Sequence, residues 1–94
     1  MLEDNQKIAS IFKSLCDKHR VEIIKLLQNG EICACQISDK LKLSQSKLSY
    51  HMKVLCESQI VEYRNVGKWT YYKISKEGRE KAILILESLV KTIK

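Results

Sequence analysis

Two thiols within one short motif are the first place in this sequence where chemistry could be done. Cys33 and Cys35 form a Cys-x-Cys pair in the run Glu-Ile-Cys-Ala-Cys-Gln-Ile, residues 31–37. Thiolates are soft donors, so the pair favours As(III), Sb(III), Cd(II), Pb(II), Zn(II) or Cu(I) over hard cations. The spacing also constrains the backbone. Inside an α-helix, ~100° per residue sends side chains at i and i+2 to nearly opposite faces, which makes a poor chelate. In an extended segment the same spacing puts both thiols on one side. If both hold one ion, a helix over 34–42 must start, or become, non-helical at its N-terminal end. Binding there would distort that helix and disturb whatever packs on it.

The second chemical feature is the stretch 43–55, Leu-Ser-Gln-Ser-Lys-Leu-Ser-Tyr-His-Met-Lys-Val-Leu. Ser44 is a good N-cap, because its hydroxyl accepts an orphan backbone N–H of the first turn. Leu48, Met52 and Leu55 recur at i, i+4 and i+7, one face of a helix. The opposite face carries Gln45, Ser46, Lys47, Ser49, Tyr50 and Lys53, all hydrogen-bond donors and none acidic. Such a face suits the major groove of double-stranded DNA, where base edges and phosphates offer mainly acceptors.

The elements around these two features complete a pattern. Ile37 and Leu41 mark a short helix over 34–42, ending in a tight connection at Lys42-Leu43; short helix, turn and donor-rich helix make a helix-turn-helix. Residues 60–66 and 69–74 are rich in β-formers and aromatics, with Gly67-Lys68 between them, which predicts a β-hairpin with its tip near 65–68. A hairpin directly after a helix-turn-helix is a wing, and Arg64 and Lys68 are its candidate DNA contacts. Upstream, Ile8, Ile11, Phe12 and Leu15 predict a helix over 4–15. Asp17 caps a second, with Val21, Ile24 and Leu27 inward and Asn29-Gly30 as its stop. Ser75 caps a last helix over 76–92, with Glu77 and Glu80 near its start and Lys91 and Lys94 near its end, as the helix dipole favours. In that helix Ala82, Leu86, Leu89 and Ile93 form one stripe, and Ile83, Leu84, Ile85 and Val90 widen it. A domain this small has no core for so broad a surface, so the excess is expected to face a second subunit.

The runs 31–37 and 43–55, the wing run Val-Gly-Lys-Trp-Thr-Tyr-Tyr (66–72), and Leu-Cys-Asp-Lys-His-Arg (15–20) together resemble the ArsR/SmtB family. These are winged-helix repressors that leave their operator when a metal or metalloid binds. The resemblance covers nearly the whole chain. It implies a mostly α winged helix-turn-helix domain over 1–94, with four helices, a small β-hairpin and a fifth helix. It further implies a homodimer joined through the first and last helices, on a palindromic DNA operator. His51 recurs in the family's recognition helix, either on the DNA face or in packing. The sequence departs from the arsenic-responsive pattern at Ser38, where those proteins typically carry a further Cys. The third ligand is then Cys56, Cys16 or a small cellular thiol. The N-terminal cysteines of the cadmium- and lead-responsive branch are absent, and residues 76–94 hold no His for the family's zinc site. Arsenite or antimonite is the expected inducer, with a Cd, Pb or Zn response as the alternative. No cofactor is needed for DNA binding.

Composition agrees with this reading. The net charge is +6, and residues 40–73 hold seven Lys or Arg against two acidic residues, so the excess sits on the proposed recognition helix and wing. Four cysteines in a chain without a signal-peptide pattern point to a reduced, cytoplasmic setting and to metal or redox chemistry rather than a disulfide framework. The longest apolar run is Ala82–Leu86, which excludes a membrane span. Three glycines and no nucleophile–base–orienter set argue against an enzyme. Cys16 and Cys56 read first as half-buried small apolar residues, and Trp69, Tyr71 and Tyr72 as wing and core packing. The rival function is a redox or persulfide-responsive repressor, in which Cys33 and Cys35 answer an oxidant near a helix N-terminus.

Overall fold

Helices begin where the sequence offers a side-chain oxygen to the first turn, as seen in a computed structural model that describes residues 4–93. Asp4 accepts from Lys7 N–H at the start of α1 (Asn5–Lys13), and Asp17 from His19 and Arg20 N–H at α2 (Lys18–Leu27). Ser44 accepts from Lys47 N–H at α4 (Gln45–Glu57), and Ser75 from Gly78 N–H at α5 (Lys76–Val90). Each such cap stabilises its helix by about 0.5–2 kcal/mol. The remaining helix, α3 (Ala34–Leu41), is capped by Cys33, whose backbone is extended and whose N–H donates to Gln36 Oε1 at 3.2 Å.

The sheet has three strands rather than the expected two. β2 (Val61–Val66) and β3 (Trp69–Ile74) form the hairpin, and β1 (Ile32–Cys33) pairs antiparallel with the other side of β3, giving the order β1-β3-β2. A two-residue strand is too short for alternation to show in sequence. Val66 pairs with Trp69, so Gly67 and Lys68 alone make the turn, and Gly67 takes the positive φ of 61° that such a turn requires.

Ile23, Leu27, Ile37, Leu43, Leu48, Met52, Leu55 and Val61 make the centre of the core, with Ile8 and Ile11 of α1 and Ile85 of α5 closing its ends. The helix-turn-helix connection is closed by one residue. Ser38 C=O accepts from the N–H groups of Lys42 and Leu43, while its hydroxyl donates to Leu43 C=O at 2.7 Å. Lys42 sits in the left-handed region there (φ 54°), as helix C-termini commonly require of one residue.

Three expectations about helix faces and ends are corrected. On α2 the inward row is Arg20, Ile23 and Leu27; Ile24 is half-buried and Val21 is 38% exposed. Arg20 takes the place that an apolar residue was expected to fill, because the backbone carbonyls of the α1–α2 junction satisfy it. α1 stops at Lys13, leaving Leu15 exposed. α5 stops at Val90, so Ile93 lies beyond it, exposed, and Lys94 falls outside the described residues. Ile85 is the one large side chain that α5 buries, helped by half-buried Ala82 and by Gly78. Gly78 lies so close to the Gln59 carbonyl that a Cβ there would overlap it. No helix among the described residues is long and apolar enough to cross a membrane.

Candidate DNA interface and thiol site

α4 presents the side chains expected of a DNA-reading helix. Ser44, Gln45, Ser46, Lys47, Ser49, Tyr50 and Lys53 are all exposed, while Leu48, Met52 and Leu55 are buried behind them. Lys68 is exposed at the wing tip, with its Nζ 5.7 Å from the Trp69 ring centroid.

His51 leaves the DNA-facing set. It is 7% exposed and its Nδ1 lies 3.0 Å from Arg20 Nη1, which donates to it. The same buried guanidinium donates through Nε to Ser14 C=O at 2.7 Å and through Nη2 to Lys13 C=O at 3.5 Å. Arg20 therefore joins the end of α1 to the middle of α4, and His51 is its acceptor there. Burial pushes the His51 imidazole below its ordinary value. Asp17 opposes that shift, and Arg20, His19 and Lys47 reinforce it.

The thiol pair comes together at the junction of β1 and α3. Cys33 Sγ and Cys35 Sγ are 2.9 Å apart, with Cys33 buried and Cys35 exposed. The expected break in helical geometry is present, since Cys33 is the extended cap (φ −70°, ψ 144°) and only Cys35 is helical. A hydrogen bond from the Cys35 thiol lowers the Cys33 pKa from the ordinary cysteine value. The backbone N–H groups of Cys35 and Gln36 act in the same direction and burial opposes them. The same thiol contact, with burial, pushes Cys35 up. The contact thus favours ionisation of Cys33 over that of Cys35.

Both cysteines open into a groove of ≈ 580 Å³ that also touches Gln45 at the start of α4 and Lys68, Trp69 and Thr70 of the wing. Ser38 and Lys42 line it too. Trp69, expected in packing, is 49% exposed and forms a wall of this groove.

Cys56 is not brought to the pair. It sits at the end of α4, half-buried, its thiol pushed up by burial, against two other cavities lined by Tyr63 and Tyr72 or by Gly78. Cys16 is exposed at the α1–α2 junction, not half-buried. Among the described residues no group of three or more His, Cys, Asp or Glu is gathered that could hold a metal ion. A third protein ligand from Cys56 is therefore not what this geometry offers.

Arg64 is exposed on β2, but its guanidinium is engaged: Nε and Nη2 donate to Glu31 Oε2 and Oε1 at 2.8 and 2.9 Å. The Arg64 guanidinium holds the Glu31 carboxyl below the usual carboxylate range.

The profile of the bacterial regulatory proteins of the arsR family matches residues 17–63. The chain belongs to the ArsR family. An HTH-type transcriptional regulator of Methanocaldococcus jannaschii is 37% identical over 94% of this chain and 100% of its own length. The arsenical resistance operon repressor of Bacillus subtilis is 37% identical over 77% of this chain and 70% of its own. Among solved structures, a homodimeric winged helix-turn-helix DNA-binding domain from Mycobacterium bovis superposes with a TM-score of 0.72 at 26% identity, covering 95% of this chain and 87% of that one. The segment matched to the ArsR family contains the thiol pair, the helix-turn-helix connection and all of α4. Within this ArsR-family chain, Glu31, Arg20 and Tyr71 are the site residues that sequence reasoning missed. Their partners are Arg64, His51 and, in the strand register, Cys33, each more than thirty positions away. Charge alone did not mark them out.

Proposed function

We propose that this protein is a homodimeric transcriptional repressor that binds a palindromic DNA operator and releases it when Cys33 and Cys35 take up a thiophilic inducer, arsenite or antimonite. The observation that carries the reading is the groove that holds both sulfurs, 2.9 Å apart, together with Gln45 of α4 and Lys68 of the wing. A ligand on the thiols is thereby next to side chains on both elements assigned to DNA. The 37% identity to an arsenical resistance operon repressor supports the choice of inducer.

Uptake is a condensation. Each cysteine sulfur forms one bond to arsenic of As(OH)3 and displaces one hydroxide, which leaves as water with the thiol proton. The product carries two As–S bonds and one remaining hydroxyl, which a small cellular thiol replaces by the same exchange. Two protein sulfurs plus one external group is the simplest site for a pair without a third protein ligand.

DNA binding and arsenite release are measured together by fluorescence anisotropy of labelled operator. Cys33→Ser and Cys35→Ser should each keep operator affinity yet fail to release DNA with arsenite, because a hydroxyl is a far poorer ligand for a soft ion. Full arsenite response in the double variant would overturn the sensing assignment.

The same sulfur contact favours one second reading. Peroxide would oxidise the Cys33 thiolate to a sulfenic acid, and Cys35 would displace it as water to form a disulfide. Release by peroxide without arsenite, and none by arsenite under reducing conditions, selects this reading.

A further inference from the structure

The strand register aligns three residues that chemistry alone would not associate. Cys33 on β1 pairs with Tyr71 on β3, and Tyr71 pairs on its other side with Arg64 on β2. The thiol pair and the wing therefore share one row across the sheet. Glu31, immediately before β1, closes that row. Its carboxylate reaches past the central strand to the fork of Arg64, whose Cζ lies 5.5 Å from the centre of the Tyr71 ring.

We propose that Glu31 is a positioning residue for the wing: its fork with Arg64 carries the state of the thiol pair across β3 to β2, so that an inducer held by the thiols changes how the wing meets DNA. The inference rests on the reading of Cys33 and Cys35 as the inducer site. Cys33 is both the end of β1 and the cap of α3, so a ligand held by Cys33 and Cys35 pulls on both. β1 is only two residues long. Displacement at Cys33 thus reaches Glu31 within two residues, and through it Arg64.

The chemistry of the pair suits transmission better than stabilisation. Exposed ion pairs add little to folding, and Arg64 is well exposed. A bidentate guanidinium–carboxylate fork nevertheless fixes the relative orientation of its two planes, which a single-point ammonium contact does not. Arg64, a candidate DNA contact from the sequence, is thereby the far end of a strut. Coupling between two sites needs an element whose arrangement both sites bias; the segment from Glu31 to Cys33 touches both.

The test uses the full chain, its operator and arsenite as probe, with Glu31→Gln, Arg64→Lys, and the swap Glu31→Arg with Arg64→Glu. Arsenite binding is read from the loss of titratable thiols, DNA binding from anisotropy, and folding from thermal melts. Both single variants should melt like wild type, bind arsenite as it does, and keep operator affinity in its absence. The weakening of operator binding caused by arsenite should shrink by about tenfold in each, a typical coupling for linked sites. The swap should restore it, and it alone decides if a single variant misfolds. Wild-type release in Glu31→Gln overturns the strut. So does an Arg64→Lys protein that loses affinity for all DNA alike while its arsenite response stays intact, because Arg64 is then a phosphate contact. A wild-type protein that takes up no arsenite removes the sensing site and this inference together, whereas a responsive wild type with responsive variants removes the strut alone.

Discussion

The hydrogen bond from Arg20 to His51 should make the fold sensitive to acid. The His51 Nδ1 accepts from Arg20, so the imidazole must be neutral, with its proton on Nε2. A second proton would remove that acceptor and place a cation against a buried guanidinium. The groups facing it are Arg20 and His19 of α2, Asp17 before α2, and Lys47 of its own helix, with Asp17 alone opposing the shift. The sign follows from linkage. The folded value lies below 6.5, so the unfolded chain takes up the proton first. The contribution is fully present above about pH 6.5, shrinks as pH falls towards the lower folded value, and changes no further below it. Urea unfolding at about pH 7.5 and about pH 5.5 should show a larger loss for wild type than for His51→Asn. Asparagine keeps an acceptor near the Nδ1 position but does not titrate. Equal losses in the two proteins would place the acid sensitivity on another group. Asp17 titrates in a separate, lower window: burial raises its carboxyl, but the N–H groups of His19 and Arg20 outweigh this and bring it below 3.8.

At the scale of elements, the proposed function gives α4 and the wing different parts in binding. Gln45→Ala and Ser46→Ala should each weaken operator binding by ~1–3 kcal/mol if the side chain reads a base edge, without changing the melting temperature. Unchanged affinity in both would move the reading surface elsewhere. Lys68→Ala should weaken binding to any sequence and reduce the salt slope by about one; a loss confined to the operator would contradict a phosphate contact. These elements were legible in the sequence because their signals are local. A cap such as Ser44 acts within three residues, and Leu48, Met52 and Leu55 show their period within two turns. The thiol pair was legible for the same reason, since Cys-x-Cys needs the break in helix that Cys33 supplies. What stayed hidden depends on partners far along the chain. β1 exists only because β3 pairs with it. Arg20 drew no assignment from the sequence, because the carbonyls of Lys13 and Ser14 and the ring of His51 meet it only in the fold. Arg64 read as a candidate DNA contact because nothing in its neighbourhood names Glu31. Cys56 stayed open as a third ligand beside its reading as a half-buried apolar residue, because distance through space cannot be read from spacing.

At the scale of the whole molecule, the proposed dimer rests on α5. α5 leaves Ile83, Leu84, Leu86, Leu89 and Val90 uncovered, with Leu84 63% and Val90 69% exposed. A continuous apolar face of that kind marks an interaction surface. Sedimentation should find a dimer at micromolar concentration, and Leu84→Glu should give a folded monomer that no longer holds a palindromic operator. A monomeric wild type would remove both the dimer and the palindrome. If α5 joins the two copies, the contact between Gly78 and the Gln59 carbonyl acquires a metric role. Gln59 follows the end of α4 directly, and Gly78 lies in the first turn of α5. With no side chain between them, the seam between subunits and the helix that reads DNA are set at a fixed offset. The separation of the two reading helices, and hence the number of base pairs between operator half-sites, is gauged at a point that touches neither DNA nor inducer.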